Sequence, residues 1–155
     1  MRIVHFETGG TFGIAADEGS GWHGLTQRDG GFPGTLPELI AQGRNLLQIG
    51  RSLGQFPASN LNAVRILQPV PAPKKILCVG LNYDDHLEES GLKKPAYPEI
   101  LARFATSLIA HHEPIRRPRE SISLDYEAEL AVVLGKAGRR IPREMAPKRM
   151  KASWR

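Results

Sequence analysis

The chain has 155 residues, of which 41% are hydrophobic and 24% are charged, a composition typical of a soluble globular protein. It contains no apolar run long enough to span a bilayer, and the stretch MRIVHFETGG lacks the apolar core of a signal peptide. A single cysteine excludes an internal disulfide. We therefore expect a cytoplasmic protein with no membrane partner.

The net charge of +5 is concentrated at one end of the sequence. Residues 136–155 contain eight Lys or Arg residues and one Glu, so this stretch carries +7 and the other residues together carry −2. No basic surface interleaved with aromatic residues and no DNA-binding motif accompanies these charges. We therefore expect a basic tail and no nucleic-acid partner, with a small basic binding module left as an alternative.

Residues 1–70 are expected to form a small β-rich domain with one helix. The runs MRIVHFE and TFGIAAD, separated by a Gly-Gly pair, predict a hairpin, and GWHGLT predicts a third strand. Residues 35–48 predict one helix, because Thr35 and Glu38 have capping-box spacing and leucines recur at helical intervals. The proline-rich stretch QPVPAPKK that follows predicts an extended linker.

Three short elements are predicted after the linker. KILCVGLNY is typical of a strand buried on both faces, and Cys78 within it is expected to be packed core rather than a nucleophile. DDHLEESG predicts a short helix with Asp84 or Asp85 as N-cap and Gly91 as its end. PEILARFATSLI is apolar and fits either a strand or a helix.

The stretch ESISLDYEAELAVVLG, residues 120–135, predicts the strand that carries the chemistry. Acidic and polar residues alternate with apolar ones, so Asp125, Glu127 and Glu129 share one face, and AVVL then predicts entry into a packed interior. Glu127 and Glu129, two residues apart, could coordinate one hard cation through oxygen. The alternative is a strand whose acidic face is exposed to water.

Other polar residues offer catalytic or binding roles, each with a simpler alternative. His86 and Glu89 are three apart on the predicted helix, which suits a general base oriented by a carboxylate, or else an ordinary surface histidine. Arg103 lies in an apolar run and either binds an anionic substrate or extends to solvent. The pair HH at residues 111–112 suggests a metal, but no partner follows at ligand spacing.

Four blocks of this sequence, in this order, resemble the fumarylacetoacetate hydrolase family: PKKILCVGLNYDDHLEESG, PEILARFATSLI, EPIRRP and LDYEAELAVVLGKAGRRI. The resemblance covers residues 73–143. It implies an α+β, mostly β fold, in which a small N-terminal domain precedes an incomplete mixed β-roll or sandwich at residues 71–143. Residues 144–155 then form a basic tail outside the family pattern.

The resemblance also implies roles for the residues that match the family's motifs. Glu127 and Glu129 would ligate Mg²⁺, or Mn²⁺ or Ca²⁺, and His86 with Glu89 would activate water. Arg103 and Ser107 would line the substrate. The implied activity is hydrolysis of a carbon–carbon bond in β-diketo acids of the fumarylacetoacetate or acylpyruvate type, in a homodimer. Decarboxylation or isomerisation of related oxo-acids is the alternative within the family.

The sequence departs from the family pattern after the E-x-E block. The family's third metal ligand is an Asp further along, and this sequence has no Asp after Asp125. We therefore expect a truncated member with impaired activity. A non-catalytic fragment is the corresponding alternative.

Overall fold

The structure is a computed structural model that describes residues 1–154, with side chains described up to residue 150. The chain divides into two compact units. One contains residues 1–69 together with the chain from residue 109 onward, and the other contains residues 70–108. The division falls within the proline-rich stretch, where residues 68–75 form neither helix nor strand.

A four-stranded antiparallel sheet forms the centre of the first unit. Its strands are β1 (Arg2–Thr8), β2 (Thr11–Asp17), β3 (His23–Thr26) and β4 (Arg65–Leu67), in the order β3-β2-β1-β4. The predicted hairpin turn is confirmed, because Gly9 and Gly10 both have positive φ, at 53° and 71°. The predicted third strand is also confirmed.

Two helices cover this sheet where the sequence predicted one over residues 35–48. They are α1 (Leu36–Ala41) and α2 (Leu46–Leu53). The single-helix prediction is wrong because Gly43 adopts a φ of 70°, which ends the first helix, and the Asn45 side chain accepts a hydrogen bond from the Gln48 amide at the start of the second. The predicted capping box is present, since the Glu38 carboxylate accepts a 2.8 Å hydrogen bond from the Thr35 amide.

The hydrophobic core lies almost entirely within residues 6–53. β1, β2 and β3 contribute buried side chains, and β2 is buried at successive positions and therefore on both faces; the helices contribute the others. The buried hydrophobic residues are Phe6, Ile14, Ala15, Ala16, Leu25, Leu36, Leu39, Ile40, Ile49 and Leu53, joined by Ala110. This sheet and helix layer therefore has the packing of an independently stabilised element.

The second unit contains a two-stranded antiparallel ribbon and one helix. Its elements are β5 (Ile76–Gly80), α3 (Asp84–Ser90) and β6 (Glu99–Arg103), followed by a 3₁₀ turn at Ala105–Ser107. Pairing with β5 makes residues 99–103 a strand, which resolves the ambiguity left by the sequence. The prediction that β5 is buried on both faces is wrong. Leu77 is 61% exposed, because a two-stranded ribbon has no second layer of its own to cover it.

The last two strands in the described part of the chain form a second two-stranded ribbon. β7 (Ala131–Leu134) pairs antiparallel with β8 (Met150–Trp154), with an irregularity between Val133 and Leu134. Two 3₁₀ turns, Arg143–Met145 and Pro147–Arg149, precede β8 within the expected basic tail. The prediction that AVVL enters a packed interior is wrong, since Leu134 is 71% exposed.

Strands outnumber helices among residues 1–154, as the predicted α+β, mostly β class requires. None of the helices in this part of the chain has the length and apolar character needed to cross a membrane.

Candidate active site

His86 and Glu89 lie on α3, in the unit formed by residues 70–108. The helix begins after Tyr83, which is the N-cap, so the prediction of Asp84 or Asp85 at that position is wrong by one or two residues. Both aspartates instead occupy the first turn, where negative charge is favoured by the helix dipole. The Lys94 ammonium donates a 2.9 Å hydrogen bond to the Asp84 carboxylate.

The end of α3 follows the prediction, since Gly91 adopts the left-handed conformation at φ 65°. A helix of seven residues places positions three apart on one face, so His86 and Glu89 point in the same general direction. Both side chains are exposed. The arrangement gives an imidazole that is accessible to a small molecule and has a carboxylate one turn away.

Arg103 and Ser107 lie close together in sequence at the end of β6 and in the turn that follows it. Arg103 pairs with Ile76 across the ribbon and its side chain is exposed. The Ser107 hydroxyl donates a 2.8 Å hydrogen bond to the Phe104 carbonyl, which fixes the hydroxyl within its own turn. Ser107 therefore offers oxygen lone pairs to a ligand, while Arg103 offers a cation.

Glu127 and Glu129 belong to the other unit and lie just before β7. The prediction of a strand from residue 121 onward is wrong, because only Ala131–Leu134 is paired as a strand. Alternation of polar and apolar residues gives a chain the capacity for a strand, but a strand forms only where a neighbour supplies the hydrogen-bond ladder. Among the described residues, β8 supplies that ladder from Ala131 onward.

The chemistry of the two glutamates suits a hard divalent cation. Both residues are exposed, and Mg²⁺ commonly binds through one or two carboxylates while keeping several water ligands. Within residues 1–154 no group of three His, Cys, Asp or Glu side chains is gathered at metal-binding distance. The donor set therefore fits a cation held by two protein carboxylates, and it provides no third protein ligand in the described part of the chain.

A groove that the sequence did not predict lies within the first unit. It has a volume of about 410 Å³ and is lined by residues from β4, from the turns beside it and from the loop that follows Ala110, including Trp22, Asn62, Arg65, His111 and His112. The two imidazole rings lie 3.8 Å apart between centroids. The His111 amide donates a 3.2 Å hydrogen bond to the Ile66 carbonyl of β4, a contact between segments distant in sequence, so no local sequence signal marks the groove.

An ion-pair network holds one wall of this groove. The Arg65 guanidinium donates to the Glu113 carboxylate from Nε at 3.0 Å and to the Glu7 carboxylate at 3.4 Å. The Arg65 guanidinium, with help from the Ala110 amide, lowers the pKa of Glu113, and the Glu113 carboxylate raises the pKa of Arg65. The loop carrying His111 and His112 is thereby tied to β4, while the arginine charge is already neutralised by carboxylates.

Comparison with known proteins shows which family this chain matches and over which residues. The family model described as fumarylacetoacetate (FAA) hydrolase C-terminal matches residues 75–151. All six candidate residues, His86, Glu89, Arg103, Ser107, Glu127 and Glu129, fall inside that range. The match also extends past Arg143 into the stretch expected to be an unrelated tail.

Named relatives agree with the family match. The mitochondrial oxaloacetate tautomerase FAHD2A of Homo sapiens is 35% identical over 147 residues, which are 91% of this chain and 47% of the relative. The oxaloacetate tautomerase YisK of Bacillus subtilis is 35% identical over 129 residues, which are 74% of this chain and 43% of the relative.

A solved structure gives the same result at the level of the fold. The crystal structure of a putative HpcE protein from Mycobacterium smegmatis matches with a TM-score of 0.66 and 30% identity, covering 98% of this chain and 53% of that one. The chain thus spans about half the length of the curated relatives and of the solved structure that it matches.

Proposed function

Because this chain belongs to the fumarylacetoacetate hydrolase family, we propose that it takes part in divalent-cation-assisted keto–enol chemistry on a small oxo-acid. The observation that carries the proposal is the family match over residues 75–151, a range that contains every candidate residue. Relatives named oxaloacetate tautomerases, from Homo sapiens and Bacillus subtilis, indicate the substrate class. A four-carbon oxo-dicarboxylate or a close analogue is therefore the first substrate to test.

The roles follow from the chemistry of each side chain. Glu127 and Glu129 would hold the cation through carboxylate oxygens. When bound, such a cation polarises a carbonyl and stabilises negative charge on its oxygen. His86 would remove or return a proton at an imidazole nitrogen, and Glu89, one turn along α3, would favour the protonated imidazole. Arg103 would attract a substrate carboxylate, with Ser107 beside it in sequence.

Hydrolysis of a carbon–carbon bond in a β-diketo acid is the second candidate. The description of the family model favours it, and the same set of groups would serve, because cleavage and tautomerisation both pass through a stabilised enolate. In the hydrolytic case His86 would take its proton from water instead of from carbon. Decarboxylation of a 3-oxo-acid requires the same enolate and stands with this second candidate.

Calorimetric titration with Mg²⁺ and then Mn²⁺ tests the cation site directly. We expect the double variant Glu127→Gln/Glu129→Gln to bind at least tenfold more weakly than the wild type. Glu120→Gln, which removes a nearby exposed charge outside the candidate pair, should bind as the wild type does. Equal affinity of the double variant and the wild type would remove the cation role from these residues.

Turnover assays separate the two reactions. The chain is supplied with oxaloacetate, and enol decay is followed by ultraviolet absorbance. It is then supplied with an acylpyruvate, and the cleavage products are separated by chromatography. We expect the chain to tautomerise oxaloacetate faster than it cleaves the acylpyruvate. The rate of tautomerisation should fall at least tenfold in His86→Asn. Cleavage without tautomerisation would favour the hydrolase, and absence of both activities would favour a non-catalytic chain.

A further inference from the structure

The turn formed by residues 110–113 places two histidines next to each other in the groove beside β4. The Glu113 amide donates a 3.2 Å hydrogen bond to the Ala110 carbonyl and closes this turn, whose two central residues are His111 and His112. Both histidines line the groove, and their imidazole rings lie 3.8 Å apart between centroids. Zn²⁺ binds imidazole nitrogen at about 2.0–2.1 Å, so a small rotation of the rings would let both reach one ion.

Hydrogen bonds that do not involve the imidazole rings hold this turn in place. The Glu113 carboxylate accepts hydrogen bonds of 3.0 Å from the Ala110 amide and from Nε of Arg65 on β4. The His111 amide donates a 3.2 Å hydrogen bond to the Ile66 carbonyl, also on β4. Ala110 itself is buried. Backbone groups and one carboxylate therefore fix the turn, and the two rings are presented as a preformed pair.

The backbone of His112 is unusual for a histidine. Its φ is 62°, in the left-handed region that residues other than Gly seldom adopt. A turn with positive φ at its third residue ordinarily carries Gly or Asn there. Such backbone strain persists only where the surrounding structure holds it, and it is concentrated at binding and catalytic sites. The conformation therefore supports a binding role for the His112 side chain.

The charge beside the groove favours a cation. Arg65 contributes one positive charge, and the Glu113 and Glu7 carboxylates that accept its hydrogen bonds contribute two negative charges, so this cluster carries −1. That balance repels an anionic ligand and attracts a cation. Imidazole nitrogen then determines the kind of cation, because it suits Zn²⁺, Cu²⁺ and Ni²⁺, whereas Mg²⁺ and Ca²⁺ prefer oxygen.

We propose that His111 and His112 together bind one divalent transition-metal cation of this class. The ligands differ from Glu127 and Glu129, so the site is independent of the proposed carboxylate site. Among the residues whose side chains are described, no group of three His, Cys, Asp or Glu is suited to a metal, so the pair supplies two protein ligands and water supplies the others. Cu²⁺ should bind most tightly, as expected for nitrogen ligands in general.

Calorimetric titration with Ni²⁺ tests the site, in the background Glu127→Gln/Glu129→Gln so that the carboxylate pair does not contribute. We expect one Ni²⁺ to bind per chain in this background, and His111→Asn or His112→Gly to weaken binding at least tenfold. His86→Asn, which removes an imidazole outside the groove, should change the affinity less than about twofold. Equal binding in the two groove variants and the background, or no binding in the background itself, would overturn the proposal.

The variant His112→Gly also excludes unfolding as the cause of weaker binding. Gly adopts positive φ without the strain that a side chain causes, so the metal-free variant should unfold in urea at or above the wild-type midpoint. Weaker Ni²⁺ binding by a variant of equal or higher stability is the expected result. Retained binding in this variant would remove His112 from the site.

Electron paramagnetic resonance of bound Cu²⁺ counts the imidazole ligands. With one Cu²⁺ supplied per chain, in the same carboxylate-free background, we expect nitrogen hyperfine splitting from two imidazoles. His111→Asn and His112→Gly should each retain the splitting of one. A spectrum with the same nitrogen count before and after both substitutions would contradict binding by this pair.

Discussion

The four-stranded sheet β1–β4 and the two ribbons β5–β6 and β7–β8 both contain strands rich in apolar residues, and they differ in how far those residues are buried. In the first unit, β2 is buried on both faces, and Ile14 on β2 and Leu39 on α1 are wholly buried. In the ribbons and the segments beside them, most large hydrophobic residues are exposed, including Leu77, Ile100 and Leu134. Alternation therefore predicts which residues share a face, and burial depends on whether another layer covers that face.

The two regions also differ in function, because one holds most of the buried core and the other holds the candidate catalytic residues. Apart from Ala110, the buried hydrophobic core lies within residues 6–53, which contain no candidate residue. The family match, with every candidate catalytic residue, lies in the exposed region at residues 75–151. We infer that the first region supplies most of the folding free energy and that the second supplies the chemistry. The following substitutions test this difference.

The largest expected effect is the loss of a core side chain. Leu39→Ala removes a wholly buried leucine and leaves a cavity under α1, so we expect a loss of about 2–5 kcal/mol in the free energy of unfolding. The matched exposed variant, Ile122→Ala, should change it by less than about 0.5 kcal/mol. Urea denaturation measures both, and equal effects would contradict the difference between the regions.

A smaller effect is expected from adding a single carbon inside the sheet. A Cβ at Gly13 would overlap the Phe6 ring, whereas a Cβ at Gly30 would meet open space. We expect Gly13→Ala to destabilise the protein by about 1–3 kcal/mol. Gly30→Ala should be close to neutral in the same thermal unfolding experiment, and a large loss there would show that the core extends further than the structure indicates.

The third effect depends on pH. His5 on β1 is buried, and neither ring nitrogen has a hydrogen bond of normal geometry among the described residues. Burial lowers the pKa of His5, partly offset by the nearby Gln68 backbone and the Glu38 carboxylate. Because the unfolded chain takes up this proton more readily, stability should fall as pH drops below about 6.5, by at most about 1.4 kcal/mol per pH unit.

The variant His5→Leu checks the source of that dependence. It removes the titrating group, so its unfolding midpoint should vary less with pH between about 6.5 and 5 than that of the wild type. Acidic groups whose pKa is lowered, such as Asp17 beside Arg2, act at lower pH and should not contribute in this window. An unchanged pH profile in His5→Leu would remove His5 as the cause.

Local signals in the sequence predicted local structure well. The Gly-Gly turn, the capping box of Thr35 and Glu38, and the end of α3 at Gly91 each depend on residues a few positions apart. Features that depend on distant segments were not predictable in this way. The division of one helix into two at Gly43, the exposure of β5 and the limits of β7 all depend on tertiary partners that a local pattern does not contain.

Prediction of the candidate site from the sequence was limited in the same way. The sequence paired His86 with Glu89 and Glu127 with Glu129 by spacing, and the structure places each pair on one short stretch of exposed chain. It did not predict that the glutamates would lie outside a strand, because alternation says nothing about the presence of a partner. The groove beside His111 and His112 was missed for a related reason, since β4 and the loop after Ala110 are distant in sequence.

Hydrogen–deuterium exchange measured for each segment tests most directly the central claim that the chain combines a stably packed sheet with an exposed region that matches the family. We expect amides of β1 and β2 to exchange slowly, at rates set by global unfolding, and amides of residues 121–130 to exchange within seconds. Slow exchange in the sheet with fast exchange in residues 121–130 is the predicted result. Protection of residues 121–130 equal to that of β1 and β2 would contradict it.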